Sequence, residues 1–417
     1  MFVVYRPLTK YIMKIPFKLK DITSNRGIAT IYLLTMCTQF VAIEGYGVSD
    51  LKVTLMALAP LLFLFKVPYM TKATLWCSVY MAVVLFCAYM QDYVRFSTIG
   101  YLGMFLITYI VYYNLLYEKH AFSLMYFIRL LRFMILAYVI CLLAQQAFVL
   151  VGIRNFPLIN LYNQYYLAID KLPTWTQEPS SSARILGVLY YAYLRCCEIV
   201  EREKLSLKRI FEKPHRWITI GFLYTMTTMG SGTAFIVLMV LAMYFVQAKS
   251  LWYIAPIFVV LYFILPLLNI FQLDRAVNVI NATMTGDVET VIEIDDSAAS
   301  RVAPILNTIK DIDLYSSKTW FGEGTYTKEV AFDFQLRFNR KIGRIEEFGL
   351  LSFIFMQIMF FVCMASKFLS LETLLWIVIL GVSLGNVAYG WGIVMIFTAV
   401  KYFITIYSLN GDNKIKI

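Results

Sequence analysis

The chain has 417 residues, of which 60% are hydrophobic, 17% are aromatic and only 15% are charged. About a quarter of the residues of a soluble protein are charged, so the composition excludes an ordinary soluble domain and predicts a polytopic membrane protein. The net charge of +11 does not point to nucleic acid, because the basic residues cluster beside apolar runs, as in residues 1–26 and 201–216. Such short basic segments are typical of cytoplasmic loops.

In chain order, about twelve apolar windows meet or approach the roughly 20 residues that a helix needs to cross the hydrocarbon core. We therefore predict an all-α polytopic membrane protein, a single integral membrane domain over residues 1–417 with about twelve transmembrane helices. The windows lie near residues 27–46, 52–68, 71–91, 97–117, 123–150, 181–200, 217–230, 232–248, 251–268, 347–366, 368–384 and 386–408.

The charges of the loops predict the orientation of these spans. If the basic N-terminus is cytoplasmic, twelve spans also place the C-terminus in the cytoplasm. The same count places the basic segments at 117–120, 201–216 and 366–367 inside, and the segments at 44–50 and 91–96 outside. Both termini are therefore expected on the cytoplasmic side.

Two long external loops remain, at residues 151–180 and 269–346. Loops of this length are either functional or disordered, and these two carry Tyr, Trp, Phe, Leu and Ile throughout, which is not the composition of a disordered segment. In the second loop, the sequence SRVAPILNTIKDI at 300–312 predicts a short amphipathic helix. We expect both loops to be ordered, partly helical and partly at the membrane surface.

The second loop contains a candidate anion-binding group. Arg301 is followed by the turn FGEG at 321–324. A guanidinium binds phosphate oxygens bidentately, and Gly322 and Gly324 would let backbone N–H groups approach a phosphate closely. The alternative is that Arg301 is paired with neighbouring acids and has a structural role.

The end of the first loop contains a candidate carboxylate and a second arginine. In TQEPSSSARIL, at 176–186, Pro179 and the serines predict the start of a helix. Glu178 is then next to a helix N-terminus, as a capping group or as a catalytic base that binds a hydroxyl. Arg184 enters an apolar span, where ionisable residues are costly and are site candidates by default.

The sequence gives little support for a metal site, for paired cysteines or for a catalytic histidine on the outer face. Glu293, Asp295 and Asp296 could hold Mg²⁺, but a solvated charge run explains them more simply, so no metal site is predicted. The cysteines have no CxxC spacing and all lie in apolar runs. The two histidines, His120 and His215, lie in loops assigned to the cytoplasm, so a carboxylate would have to serve as general base on the outer face.

Five segments resemble motifs of a known family. They are EPSSSARIL (178–186), TTMGSGTAFIVLMVLAMYF (227–245), SRVAPILNTIKDI (300–312), FGEG (321–324) and EEFGLLSFIFMQIMFF (346–361). With about twelve spans and two large external loops, they resemble the Wzy-type O-antigen and capsular polysaccharide polymerases, which form a superfamily with the O-antigen ligases. The resemblance covers residues 150–400, and the architecture is similar to that of C-type glycosyltransferases.

The resemblance implies a metal-independent glycosyltransferase without a cofactor, in the bacterial inner membrane. Its donor would be a polymer on undecaprenyl pyrophosphate and its acceptor a lipid-linked repeat unit at the periplasmic face, with membrane lipids and a chain-length regulator protein as further partners and no nucleic acid. Arg301 and Arg184 would bind the anionic leaving group and Glu178 the sugar hydroxyl. Gly322 and Gly324 would line the substrate site.

Three alternatives remain open. An O-antigen ligase of this superfamily uses a periplasmic histidine, which this chain does not offer in its predicted external loops. A lipid-linked oligosaccharide flippase would carry short, even loops and charges that line a cavity within the spans. A secondary transporter would more often have two related halves, and no internal repeat is apparent.

Overall fold

The computed structural model describes residues 22–38, 50–153, 171–176, 178–246, 296–324, 342–379 and 388–409, with isolated positions between 278 and 293. Only the backbone is described at 50, 296–302, 343, 344 and 409. Every regular element in these ranges is an α-helix, as predicted. They are α1 (Asn25–Cys37), α2 (Asp50–Lys66), α3 (Lys72–Tyr89), α4 (Phe96–Tyr117), α5 (Leu124–Leu150), α6 (Pro179–Glu201), α7 (Leu207–Ile210), α8 (Arg216–Thr228), α9 (Gly232–Ala242), α10 (Asp296–Asp311), α11 (Ser317–Phe321), α12 (Gly343–Met364), α13 (Leu371–Ile379) and α14 (Ala388–Leu409).

Among the described residues, five helices are long and apolar enough to cross a membrane. They are α3, α4, α5, the Ile345–Met364 part of α12 and the Ala388–Ser408 part of α14. These five coincide with the predicted windows at 71–91, 97–117, 123–150, 347–366 and 386–408. The prediction of a helical membrane protein is therefore confirmed.

In the described residues, the remaining windows do not give helices that are both long enough and apolar enough to cross a membrane. Those near 217–230 and 232–248 contain α8 and α9, with 13 and 11 residues. The window at 181–200 coincides with the 23-residue α6, which carries charged residues along its length. The window at 52–68 overlaps the 17-residue α2. The window at 251–268, and parts of those at 27–46, 232–248 and 368–384, lie outside the described residues. The count of twelve is not confirmed.

The chain divides into two compact units, each with its own packing. The first unit comprises Met1–Thr54, Leu115–Phe245 and Met395–Ile417, and the second comprises Leu55–Asn114 and Val246–Val394. The five predicted site residues are divided between these units.

Helix α6 is the core of the first unit and packs against α5, α8 and α9. From Pro179 to Cys197 every residue except Arg184 and Arg195 is buried. Close approach to α9 requires a residue without a side chain, because a Cβ atom on Gly187 would lie 2.2 Å from Cγ1 of Val237. This tight packing fixes the position of α6 and of the loop that leads into it.

In the second unit, α3 packs against α12, and α11 packs against the start of α12. Helix α12 is interrupted near its start by Gly349, whose backbone (φ 79°, ψ 168°) is not helical. A Cβ atom there would lie 2.1 Å from the carbonyl oxygen of Trp320. Glycine is therefore required both for the positive φ and for the close approach of α11.

The interface between α6 and α9 gives a test of this packing. We expect Gly187→Ala to destabilise the protein by about 1–3 kcal/mol, because the added methyl overlaps Val237. Val237→Ala removes the overlapping Cγ1 atom, so the double variant should be less destabilised than the two single changes added together. The midpoint of thermal unfolding can be followed in detergent with a thiol-reactive dye, since all seven cysteines are buried.

Gly100 of α4 is the matched control, because no heavy atom lies within 4 Å of a Cβ placed there. Gly100→Ala should leave stability unchanged or raise it by up to about 1 kcal/mol through helix propensity. Equal losses for Gly187→Ala and Gly100→Ala would contradict the assigned packing.

Candidate functional site

The first part of the candidate site is the N-terminus of α6, in the first unit. Glu178 is the N-cap residue of this helix and Pro179 occupies its first turn, as the sequence predicted. The carbonyl of Glu178 accepts hydrogen bonds from the backbone N–H groups of Ser181 (3.1 Å) and Ser182 (3.2 Å). Its side chain makes no capping hydrogen bond and is exposed, so its carboxylate is not used in closing the helix.

The turn before Glu178 is held by buried polar side chains. Gln145 of α5 accepts a hydrogen bond from the backbone N–H of Thr174 (2.9 Å) and donates one to its carbonyl (3.3 Å). Ser182 lies within hydrogen-bond distance of the hydroxyls of Thr174 (2.5 Å) and Thr176 (2.7 Å) and donates to the carbonyl of Pro173 (2.5 Å). The backbone on both sides of the helix start is thus fixed.

Thr174 has a positive φ of 54°. For a β-branched residue this conformation is unusual, and strained backbone costs on the order of 1–3 kcal/mol. The two hydrogen bonds between the Gln145 carboxamide and the backbone of Thr174 stabilise this conformation. Strain of this kind persists where the surrounding structure holds it and is concentrated at functional sites.

Arg184 lies on the same helix as Glu178 and is half-buried. The hydroxyl of Ser180 donates a hydrogen bond to Oε2 of Glu178 (3.0 Å). Ser180 and Arg184 are four residues apart, so they share one face of α6 about 6 Å apart along the axis. The hydrogen bond from Ser180 therefore places the Glu178 carboxylate at the N-terminal end of the α6 face that carries Arg184.

The second part of the candidate site lies in the second unit. The structure places Arg301 in α10, but its side chain is outside the described part of the chain. Gly322 ends α11 with a φ of 90°, and Gly324 follows with a φ of 100°. The predicted glycine turn at 321–324 is therefore present.

Both glycines of this turn are in close contact with the protein itself. A Cβ atom on Gly322 would lie 2.7 Å from the backbone nitrogen of Gly349, and one on Gly324 would lie 2.4 Å from the carbonyl oxygen of Tyr93. The backbone N–H of Gly322 donates to the carbonyl of Lys318 (2.8 Å). Packing explains why glycine is needed at both positions, and phosphate binding there stays a prediction.

One side chain joins this turn to the neighbouring helices. The side-chain nitrogen of Gln91, just after α3, donates to the carbonyl of Phe321 and to that of Glu347 in α12 (2.8 Å). Thr308 of α10 accepts a hydrogen bond from the backbone N–H of Ile342 (2.8 Å). The helix that carries Arg301 is thereby joined to the start of α12.

Within the described part of the chain, no group of three His, Cys, Asp or Glu side chains is placed to hold a metal ion. Asp295 and the side chain of Asp296 lie outside it, so the acid run near Glu293 is not tested as a whole.

A buried polar cluster at the other end of α6 was not found from the sequence. His215 is fully buried, with Nε2 2.8 Å from Oε1 of Glu201 and Nδ1 2.8 Å from the hydroxyl of Tyr193. Arg209 is ion-paired with Glu201 (3.2 Å) and Glu212 (3.1 Å). The sequence suggested only a basic loop at 201–216, and its interspersed acids were the available signal.

Burial lowers the pKa of His215, and the hydrogen bond to Glu201 opposes this effect only in part. Nearby Arg209 and Arg132 lower the pKa further. The imidazole is therefore neutral at pH 7. Because an ionised carboxylate can only accept, Nε2–H donates to Glu201, and Nδ1 then accepts from Tyr193.

This pKa shift predicts a loss of stability in acid. With the folded-state pKa below the ordinary value of about 6.5, the unfolded chain binds more protons as the pH falls through and below that value. Stability contributed by neutral His215 is therefore complete above about pH 6.5 and decreases below it. We expect His215→Gln to reduce the fall in the unfolding midpoint between pH 7.5 and 5, measured by tryptophan fluorescence.

The other histidine, His120, is exposed and provides the control. His120→Gln removes the other imidazole of the chain and is measured in the same way. If His215→Gln and the parent protein show the same pH dependence, the assignment to His215 is wrong.

The structure thus brings Glu178 and Arg184 to one end of α6 in the first unit, and places Gly322, Gly324 and the backbone of Arg301 in the second unit. Convergence of the two groups stays a prediction. No protein-family model, no curated protein and no solved structure matches the chain.

Proposed function

We propose that the protein is a polysaccharide polymerase of the bacterial inner membrane, which joins oligosaccharide repeat units carried on undecaprenyl pyrophosphate at the periplasmic face. The proposal includes about twelve spans, both termini in the cytoplasm and external loops at 151–180 and 269–346. The observation that supports it is the arrangement at the start of α6. The exposed carboxylate of Glu178 accepts a hydrogen bond from Ser180, on the helix face that carries the half-buried Arg184.

In the proposed reaction, a hydroxyl oxygen of the acceptor sugar forms a bond to the anomeric carbon of the donor. The bond from that carbon to the pyrophosphate oxygen breaks, and undecaprenyl pyrophosphate leaves with the electron pair. Glu178 orients the hydroxyl and accepts its proton. Arg184 and Arg301 bind the pyrophosphate, whose negative charge increases as the bond breaks.

The support of Glu178 fits this role. General-base catalysis requires the base to lie within hydrogen-bond reach of the proton that it accepts. The hydrogen bonds that Gln145 exchanges with the backbone of Thr174, and the one that Ser182 donates to Pro173, fix the turn that precedes Glu178. A lipid-linked donor carries its own activation, so the mechanism uses no nucleotide-binding loop.

The surface and lipid-linked glycans of a strain that lacks this gene provide the first test. We expect lipid cores capped with a single repeat unit and no ladder of longer products, because units are still made, exported and ligated. Full-length polymer retained on the lipid carrier would instead indicate a ligase. Repeat units confined to the cytoplasmic face would indicate a flippase, and unchanged glycans would contradict all three functions.

Complementation of that strain with point variants tests the assigned residues. Glu178→Gln should lower the polymerisation rate by about 10²–10⁴-fold, the usual contribution of a general base. Arg184→Gln should be more harmful than Arg184→Lys, which keeps the positive charge. Polymerisation is measured as conversion of single-repeat to multi-repeat product at matched protein levels.

Glu203→Gln is the control, because Glu203 is an exposed glutamate beyond the other end of α6. It should restore the full ladder. A full ladder from Glu178→Gln would remove Glu178 from the mechanism and leave the polymerase assignment to the glycan profile.

A further inference from the structure

Four large apolar side chains are exposed at the end of α10 and in the turn that leads from it to α11. They are Ile309 (70% exposed), Ile312 (38%), Leu314 (56%) and Tyr315 (101%). We call residues 309–315 the apolar turn. Four exposed large apolar side chains within seven residues of an ordered segment indicate an interaction site.

The apolar turn has a defined conformation. The backbone N–H of Tyr315 donates to Oδ1 of Asp313 (2.9 Å), and that of Ser316 donates to the carbonyl of Asp313 (3.1 Å). The indole Nε1–H of Trp320 donates to the carbonyl of Leu314 (2.8 Å). These bonds hold the backbone so that Leu314 and Tyr315 remain exposed.

The apolar turn lies close to the ends of two membrane-spanning helices. Gln91, two residues after the end of α3, donates to the carbonyl of Phe321 at the end of α11. The ring of Phe321 contacts that of Phe86 in α3, with centroids 5.7 Å apart. The backbone of Gly322 contacts Gly349, four residues into the candidate span that begins at Ile345.

The distance from these helix ends to Tyr315 is short. Helix α11 has five residues and therefore rises about 7.5 Å, so the apolar turn is within roughly 10 Å of the ends of the spans. The interfacial layer on each side of the hydrocarbon core is about 5–8 Å thick. Phe86 and Tyr89, in the last turn of α3, are exposed as well, and Phe86 is the residue that contacts Phe321.

The charged side chains within and next to the apolar turn are balanced in number. Lys310 and Lys318 are exposed, and so are Asp311 and Asp313. A surface that recognised anionic headgroups by charge would carry an excess of Lys and Arg. Tyr and Trp beside aliphatic residues are typical of the boundary between headgroups and acyl chains.

We propose that the apolar turn inserts Ile309, Leu314 and Tyr315 into the headgroup–acyl boundary of the bilayer that the protein spans. The lipid is bound through apolar contact, and the flanking lysines and aspartates stay in the headgroup layer. This anchors α10 and α11 to the membrane surface. The inference is independent of the proposed reaction.

Site-directed spin labelling tests the insertion in the full-length protein. All seven native cysteines are buried, so a nitroxide reagent will label an introduced exposed cysteine selectively. Tyr315→Cys and, as a second reporter, Ile309→Cys are labelled in nanodiscs of phosphatidylcholine, and the accessibilities to oxygen and to a water-soluble nickel complex are compared. Leu85→Cys, exposed on α3, is the lipid reference, and Glu203→Cys is the aqueous reference.

We expect greater access to oxygen than to nickel at position 315, as at position 85, and a depth of about 5–10 Å below the headgroup boundary. Replacing a third of the lipid with phosphatidylglycerol should leave this depth unchanged. Preferential access to nickel, as at position 203, would overturn the proposal. Low access to both reagents would mean that protein, such as a second copy of the chain, covers the turn, and insertion that requires phosphatidylglycerol would mean recognition by charge. Both outcomes would also overturn it.

Discussion

A backbone N–H or C=O group that is buried in the protein finds no water to bind, so each buried place where the chain leaves a helix must be completed by another part of the protein. Carboxamide side chains perform this role at three such places. Asn114 donates to the carbonyls of Val67 (3.0 Å) and Tyr69 (2.9 Å) after α2. Gln145 binds both backbone groups of Thr174 before α6. Gln91 donates to the carbonyl of Phe321, at the end of α11, and to that of Glu347 in α12. A carboxamide suits this task because it has donors and an acceptor without a charge to desolvate.

Two of these contacts also place candidate site residues. The turn that Gln145 holds leads directly into Glu178, and the turn that Gln91 holds contains Gly322 and Gly324. A carboxylate used as a base gains little from mobility, because its rate contribution depends on alignment with the attacking hydroxyl. The strain at Thr174 fits the same requirement, since both of its backbone groups are hydrogen-bonded to Gln145.

The sequence was sufficient wherever a feature depends on neighbours along the chain. Long apolar windows predicted α3, α4, α5, α12 and α14, and Pro179 with the serines after it predicted the start of α6. The window at 217–230 agrees with α8 within two residues, whereas the window at 232–248 is longer than α9, because the residues that follow Ala242 do not continue the helix. The bonds from Gln91 join residues up to 256 positions apart, and no local pattern predicts such a contact. The burial of His215 was missed because a histidine in a charged segment looks the same whether it faces water or is covered by Tyr193 and Glu201.

Helix α6 is enclosed by its neighbours over almost its whole length, and this affects the order in which the helices of the first unit can pack together. Helix α6 carries both Arg184 and Arg195, and ionisable side chains are costly on a helix surface that faces lipid. The stack of Tyr190 on Phe222 of α8 (4.0 Å between centroids) and the fit of Gly187 to Val237 of α9 form only once those later helices are present. The contacts of α6 are therefore complete only when α5, α8 and α9 are all in place, so these four helices form one cooperative packing unit.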